Sequence, residues 1–454
     1  MSKLRVVARV AAIAGIALGS VARTLPAAEP EALTLREAAS IALGKSPHVA
    51  AARSGEAIAS ARASEARAAW LPQIQVSEGY ARGNNPVFVF GSLLEQGRFG
   101  AANFDPAFLN APPSLTNWRR SLSIRYPLFD QFRRVTAMQE SRAARSEAVL
   151  ASDAASQQLR LEVLRAYFGL QLARSRAGVA AEAVRSADAA TRSIRDRFAS
   201  GLVVESELLA AEVQLAEFRQ QQIEAEGEAA VSAAVLDTLL RRPVVEQPGL
   251  ATELQEKTFV EIDLDEALRR GSTSRPEIQS GRLASEIARL RLRTAHGSFL
   301  PRVEAYANWG ASGERFSAHN SDHTVGLTIS LDVLNPGRLA RVAAARAGVE
   351  SASAAERGAA DQVSLEIVSA YHRFHAAREK LVVGRASVEQ AGTTARIVHD
   401  RYEQGLTTIT EDLRAATALV RARMALLASQ YDSYIAYAEL LRASGGLHDV
   451  EPFV

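Results

Sequence analysis

The pattern of apolar and polar positions changes from a helical period to an alternating one in each half of the chain. Alternation follows Pro72 and precedes Asp130, and it follows Pro301 and precedes Asn335. A period of two over about ten residues predicts β-strands with one apolar face, a length and pattern typical of membrane-barrel strands. The apolar positions of the four predicted strands are Ile74, Val76 and Tyr80; Leu122, Ile124, Tyr126 and Leu128; Val303, Ala305, Ala307 and Trp309; and Val325, Leu327, Ile329 and Leu331.

Two structures are compatible with this alternation: strands of a membrane barrel, or two soluble hairpins packed on a core. Tyr80, Tyr126 and Trp309 lie near predicted strand ends, where the aromatic girdles of membrane barrels form, and this favours membrane strands. The loop of the first strand pair, from about residue 83 to 117, is long, and that of the second, around 313 to 322, is short. Outer-membrane barrels place their long loops outside the cell.

The predicted helices that follow each strand pair are unusually long. Asp130 and Asn335-Pro336 are good starting caps, and no strong helix breaker then appears before Gly201 and Gly405. At 1.5 Å per residue each helix would be about 100 Å long, far beyond the usual globular range, so we expect a coiled coil or a tube. The predicted long helices are 132–198, 203–240, 337–402 and 407–442.

The order of predicted elements occurs twice. Matching residues link 35–72 to 264–301 at one constant offset, and 167–219 to 371–423 at another. This repeat is too long for a solenoid, so each half is a whole supersecondary assembly. The predicted boundaries are a signal peptide, 1–28, cleaved after Ala22 or Ala28; a first repeat, 29–242, with β-hairpin 72–128 and helical hairpin 131–240; a linker, 243–261; a second repeat, 262–446, with β-hairpin 301–334 and helical hairpin 336–443; and a short tail, 447–454.

The first residues have the composition of a secretory signal. Lys3, Arg5 and Arg9 precede an apolar run, residues 10–22, and small residues follow. The alternative is a buried amphipathic helix. The chain contains no cysteine, which excludes disulfides, thiolate metal sites and a cysteine-linked lipid anchor. A net charge of +2 gives no bulk positive field for binding nucleic acid.

The number of predicted strands constrains the assembly. A sheet edge in lipid leaves unpaired backbone groups, so a membrane sheet must close on itself. Four strands cannot close, because bacterial barrels begin at about eight strands. Two chains would give a narrow duct, whereas three give twelve strands and a wide helical tube. We therefore predict an α+β membrane protein: a homotrimeric twelve-stranded β-barrel in outer-membrane lipid, four strands per chain, continued by an α-helical tube.

Several motifs resemble those of the TolC-like outer membrane efflux protein family. They are the helix-to-strand junctions Trp70-Leu71-Pro72 and Phe299-Leu300-Pro301, Pro127-Leu128-Phe129-Asp130, and the turns Phe198-x-x-Gly201 and Tyr402-x-x-Gly405. The resemblance covers essentially the whole mature chain. It implies a trimeric channel whose barrel lies in the outer membrane, whose helices cross the periplasm, and whose two turns lie at the inner tip.

The resemblance also implies which residues act at this tip. Glycine permits the positive φ at which a helix ends and reverses. By resemblance the turns dock a periplasmic adaptor, and two acidic residues contribute to a ring at the entrance. This chain departs from the family at two positions. Arg414 stands where the family has a second acidic residue, and Thr407 stands where the family has its latch arginine. The implied docking residues are Phe198, Gly201, Leu202, Tyr402, Gly405 and Leu406, and the implied ring residues are Glu207 and Glu411.

The sequence contains no motif for catalysis. No phosphate loop, zinc-binding helix pair or nucleophile elbow stands out, and we predict neither an enzyme nor a bound cofactor. His319 and His323 flank the short loop, and His372 and His375 lie on a helix. Either pair could bind a metal, but surface and seam positions are the commoner role, and we predict no metal.

We therefore predict a passive exit duct of a tripartite efflux pump, fed by an inner-membrane transporter through a periplasmic adaptor. The alternatives are the exit duct of type I protein secretion and, in a different class, a periplasmic coiled-coil scaffold without a barrel.

Overall fold

The computed structural model describes residues 32–244 and 249–454. The predicted signal peptide lies outside the described residues, as does the part of the predicted linker at 245–248. The helices of the described part are α1 Leu35–Lys45, α2 Pro47–Ala68, α3 Pro86–Glu95, α4 Pro106–Asn110, α5 Arg133–Ala199, α6 Glu205–Leu240, α7 Leu264–Ser274, α8 Pro276–Gly297, α9 Gly337–Glu403 and α10 Ile409–Ala443. Its strands are β1 Gln73–Gly83, β2 Leu115–Phe129, β3 Arg302–Arg315 and β4 Ala318–Ser330.

Local signals set the starts of the first helices. Thr34 and Glu37 form a reciprocal capping box at the start of α1. Ser46 caps α2, and Pro47 occupies its first turn, where no backbone N–H is needed. The helix ends at Ala68, four residues before Pro72, which cannot continue a helix, and β1 begins at Gln73.

The two predicted caps of the long helices differ from the structure. The Asp130 carboxylate accepts a hydrogen bond from Arg134 N at 2.9 Å, but α5 begins only at Arg133. Gln131 and Phe132 intervene with φ of 64° and 67°, a left-handed bend that turns the chain from strand into helix. The predicted Asn335 cap is wrong, since among the described residues no side chain caps α9, which starts after Pro336.

The long helices agree closely with prediction. Helices α5 and α9 contain 67 residues each, and each pairs with the shorter helix that follows its turn. Along α9, the side chains of Val363, Ile367, Phe374 and Leu381 are buried. Within the described ranges, none of the helices combines the length and apolar content needed to cross a membrane.

The four strands form one antiparallel sheet in chain order, so β1 and β4 are its edges. In its register, apolar residues of neighbouring strands lie side by side, and so do polar residues. One apolar row consists of Ile74, Ile124, Ala307 and Val325, and the neighbouring polar row consists of Gln75, Ser123, Asn308 and Thr324. The apolar face is uncovered in the single chain, where Val76 is 77% and Val325 76% exposed.

The connections between strands differ from the predicted loops. The first connection, residues 84–114, contains α3, α4 and a short 3₁₀ turn. The second is a tight turn at 316–317, because β3 extends to Arg315 and β4 starts at Ala318. Near this turn, polar residues occupy both faces of the two strands, so alternation does not indicate where the strands end.

The main core lies where the short helices pack against the middle of the long ones. Tyr167 of α5 is fully buried, and its hydroxyl donates to Leu33 O at 2.7 Å and accepts from Thr252 N at 2.9 Å. Phe259, from the connection before α7, stacks on Tyr437 of α10. The C-terminal segment joins this core through the buried Phe453.

Candidate functional site at the helical tip

Each long helix reverses through a turn that requires glycine. Gly201 and Gly405 have φ of 72° and 71°. Leu202 N donates to Arg197 O at 2.9 Å, and Gly201 N donates to Phe198 O at 2.9 Å, which is the Schellman arrangement. No described atom would contact a Cβ at either glycine, so conformation and not space selects the residue.

The second turn repeats this geometry. Leu406 N donates to Arg401 O at 2.8 Å, and Gly405 N donates to Tyr402 O at 2.9 Å. Leu202 and Leu406 stay 74% and 62% exposed. The two turns therefore present a leucine each to solvent on matching backbones.

The two helical hairpins contact each other at the tip. Ile194, Ala211 and Ile409 form a small buried cluster there, and Tyr402 packs against it. The Tyr402 hydroxyl donates to Glu207 Oε2 at 3.4 Å. Burial raises the pKa of Tyr402, and the Glu207 carboxylate raises it further, so the phenol keeps its proton and remains a donor.

The two predicted ring residues have different surroundings. Glu207 contacts Tyr402 across the hairpins, whereas Glu411 accepts a hydrogen bond from Arg414 Nη1 on its own helix at 2.8 Å. Both carboxylates lie in the first turn of a helix, where the backbone dipole favours negative charge. An ordinary helix-start role therefore explains their spacing from the glycines as well as a ring does.

Sequence reasoning missed several polar pairs that join the arms of each hairpin. His399 Nδ1 lies 3.1 Å from Asp412 Oδ2, and Arg195 Nη2 lies 2.7 Å from Glu212 Oε1. His399 and Asp412 lie six and seven residues from Gly405, nearly symmetric about their turn, whereas Arg195 and Glu212 lie six and eleven residues from Gly201. Complementary residues placed symmetrically about Gly405 are a signal that could have found the first pair.

The two histidine pairs lie on regular elements of the structure. His319 and His323 both lie on β4 and do not flank a loop, since the turn is at 316–317. His372 and His375 lie on α9. The described part of the chain contains no group of three or more acidic and histidine residues that could hold a metal ion.

Known proteins share the sequence pattern and the fold of this chain. The model of the outer membrane efflux protein family matches residues 38–240 and 268–446. The chain belongs to the outer membrane efflux protein family. Membership assigns it to outer-membrane channels of efflux or secretion, which are not enzymes.

Individual relatives of this efflux family member are distant but cover most of the chain. CyaE of Bordetella pertussis is 27% identical over 414 residues, covering 88% of this chain and 81% of CyaE. AprF of Pseudomonas aeruginosa, an alkaline protease secretion protein, is 23% identical over 343 residues, covering 73% and 70%. The outer membrane protein VceC of Vibrio cholerae has the same fold, with a TM-score of 0.77 at 19% identity over 91% of this chain and 96% of VceC.

Proposed function

We propose that this chain is one third of a homotrimeric duct that lets substrates leave passively through the outer membrane. An inner-membrane transporter would supply the energy and hand the substrate over through a periplasmic adaptor. The observation that carries the proposal is the sheet, which has one uncovered apolar face and two open edges. Lipid can cover such a face, but the edges must pair with other chains, and three chains close a barrel of twelve strands.

In the proposed duct, the long helices span the distance from the barrel to the periplasmic end. A 67-residue helix is about 100 Å long, and α5 and α9 start next to the strand ends opposite the inter-strand connections. The turns at Gly201 and Gly405 then lie at the far, periplasmic end. We assign adaptor docking to these turns, whose exposed Leu202 and Leu406 offer an apolar contact on a defined backbone.

Oligomeric state in detergent tests the duct directly. We expect mass photometry of the detergent-extracted protein to show trimers, because the sheet edges of one chain remain unpaired until three chains join. A stable monomer in detergent, or full solubility without detergent, would contradict the proposal.

A second candidate function is the exit duct of type I protein secretion. It is favoured by AprF, which is named for alkaline protease secretion and covers 73% of this chain. The two functions differ in cargo, so a strain lacking this protein should be compared for drug accumulation and for loss of a secreted polypeptide. Drug accumulation alone supports efflux, and loss of the polypeptide alone supports secretion.

A further inference from the structure

The connection between β1 and β2 folds back onto the sheet. We name residues 84–114 the insert. Its helix α3 contacts β2, β3 and β4, and the side chains of Val89 and Leu93 are buried. The turn of the β3–β4 hairpin contains only 316–317, so the insert is the part of this end of the sheet that could obstruct a lumen.

Glu95, at the end of α3, is the centre of the contact. Its Oε1 lies 2.8 Å from Arg119 Nη1 on β2. Its Oε2 accepts hydrogen bonds from Ser312 Oγ of β3 at 3.2 Å and from Asn117 Nδ2 of β2 at 3.3 Å. Asn117 and Ser312 are themselves buried, at 6% and 0% exposure. One carboxylate thus joins the insert to two strands.

The residues after Glu95 extend the attachment. Gln96 Nε2 donates to Thr116 O at 2.8 Å, and Asn320 Nδ2 of β4 donates to the Glu95 carbonyl at 3.1 Å. Arg98 Nη1 pairs with Glu314 at 2.8 Å. The polar part of the attachment therefore spans β2, β3 and β4, beside the buried Val89 and Leu93 of α3, and its contacts can break without unpairing the strands.

The register shows which face the insert covers. Arg119 lies opposite Ser312, and both alternate in phase with the polar row that contains Ser123 and Asn308. The uncovered apolar row, with Val325, is on the other face. The insert therefore sits on the polar face, which is the inner wall if the apolar face meets lipid.

We propose that the insert is a constriction inside the outer mouth of the duct, held in place by Glu95. This rests on the proposed trimeric barrel, in which three inserts share one mouth. A substrate wider than the remaining opening passes only when the inserts detach. The cell gains a barrier against large molecules entering from outside, at the end of the duct opposite the tip.

The absence of cysteine permits a direct test. Asn308 is exposed on the polar face, four residues and about 14 Å from Ser312 toward the helical end. Asn308→Cys gives a single thiol on the helical side of the insert, which a reagent entering from the outer mouth reaches only past the insert. Intact cells would be treated with a membrane-impermeant maleimide carried on a bulky polyethylene glycol, and with a small impermeant maleimide as reference.

We expect the bulky reagent to label Asn308→Cys slowly, and about tenfold or more faster when residues 86–111 are replaced by a short Gly-Ser linker, because pore diameter controls access. Glu95→Gln should also speed labelling. Glu78→Gln is the matched control, since Glu78 of β1 pairs with Arg120 of β2 at 3.2 Å on the opposite face of the sheet.

The outcomes separate the constriction from the duct itself. Equal bulky labelling of the native and linker-replaced proteins, with both open to the small reagent, would overturn the constriction. Equal labelling of the native and Glu95→Gln proteins would overturn the role of Glu95. Failure of both reagents in intact cells, with labelling after lysis, would instead contradict the outer-membrane duct.

Discussion

At the scale of single residues, Arg275 joins four helices of the second half. Its side chain is 3% exposed, and it lies between α7 and α8. It bonds Glu277 at 2.8 Å, Glu366 of α9 at 2.7 Å and the carbonyl of Ala443 at the end of α10 at 3.0 Å. Burial is the largest single influence on Glu277 and by itself would raise the pKa. The hydrogen bonds from Arg275, a backbone hydrogen bond and the positive charges of Arg275 and Arg442 together outweigh burial and hold the pKa of that carboxyl below its usual value.

Arg275→Ala should lower the free energy of unfolding by about 1–3 kcal/mol, because a buried carbonyl and Glu366 lose their donor. Arg269→Ala is the control on α7. That side chain is 69% exposed beside Glu266, and its loss should cost about 0.5 kcal/mol or less. Thermal unfolding followed by circular dichroism measures both. Equal losses would show that burial of Arg275 contributes nothing.

The same variant has a pH dependence of defined sign. A carboxyl with a lowered native pKa stabilises the fold above its ordinary pKa of about 4, and that contribution disappears as pH falls through the native value. The stability gap between native protein and Arg275→Ala should therefore shrink below about pH 4.

The two faces of the sheet should differ in how well they tolerate a charged residue. Leu327, 66% exposed, lies on the apolar face, and Thr328 beside it lies on the polar face. Leu327→Arg should cost about 2–4 kcal/mol if it lies near the bilayer midplane, whereas Thr328→Arg should be tolerated. Yield of heat-resistant trimers in the outer membrane reports the difference. Equal yields from the two variants would refute the assignment of faces.

Elements with local signals could be predicted from the sequence. Alternation indicates the strands, and proline and glycine indicate the helix ends. The helices of the insert do not stand out in the sequence, although Asn85-Pro86 and Asp105-Pro106 carry the same cap-and-proline signal as Ser46-Pro47. Both helices are short, and α3 packs on strands that are distant in sequence. No periodicity within residues 84–114 therefore indicates these helices.

At the scale of the whole molecule, contacts between the two halves could not be predicted. The turns themselves were visible, since each needs a glycine at positive φ. The bond from Tyr402 to Glu207 exists only because two hairpins, almost two hundred residues apart in sequence, pack side by side at the tip. Local patterns contain no information on that packing, so the sequence alone makes Glu207 and Glu411 equivalent, although their surroundings differ in the structure.

The tip bond leads to a prediction about the entrance. Tyr402→Phe removes the hydroxyl but keeps the ring in its cluster beneath Arg197, whose guanidinium carbon lies 6.0 Å from the ring centre. If the bond holds the hairpins together, Tyr402→Phe and Glu207→Gln should each raise the conductance of trimers in planar bilayers about twofold or more. Their combination should add little, because both remove one interaction.

Glu411→Gln tests the acidic ring separately, since Glu411 bonds Arg414 on its own helix and not the other hairpin. It should leave the opening unchanged and reduce the preference for cations, and adding Glu207→Gln removes six carboxylates from the trimer and should reduce it further. For Tyr402→Phe, the matched control is Tyr371→Phe, which also removes a tyrosine hydroxyl from α9 but lies away from the tip. Additive rises from Tyr402→Phe and Glu207→Gln would argue against a shared bond. Unchanged ion selectivity in the double glutamine variant would make Glu207 and Glu411 ordinary first-turn residues that satisfy a helix dipole.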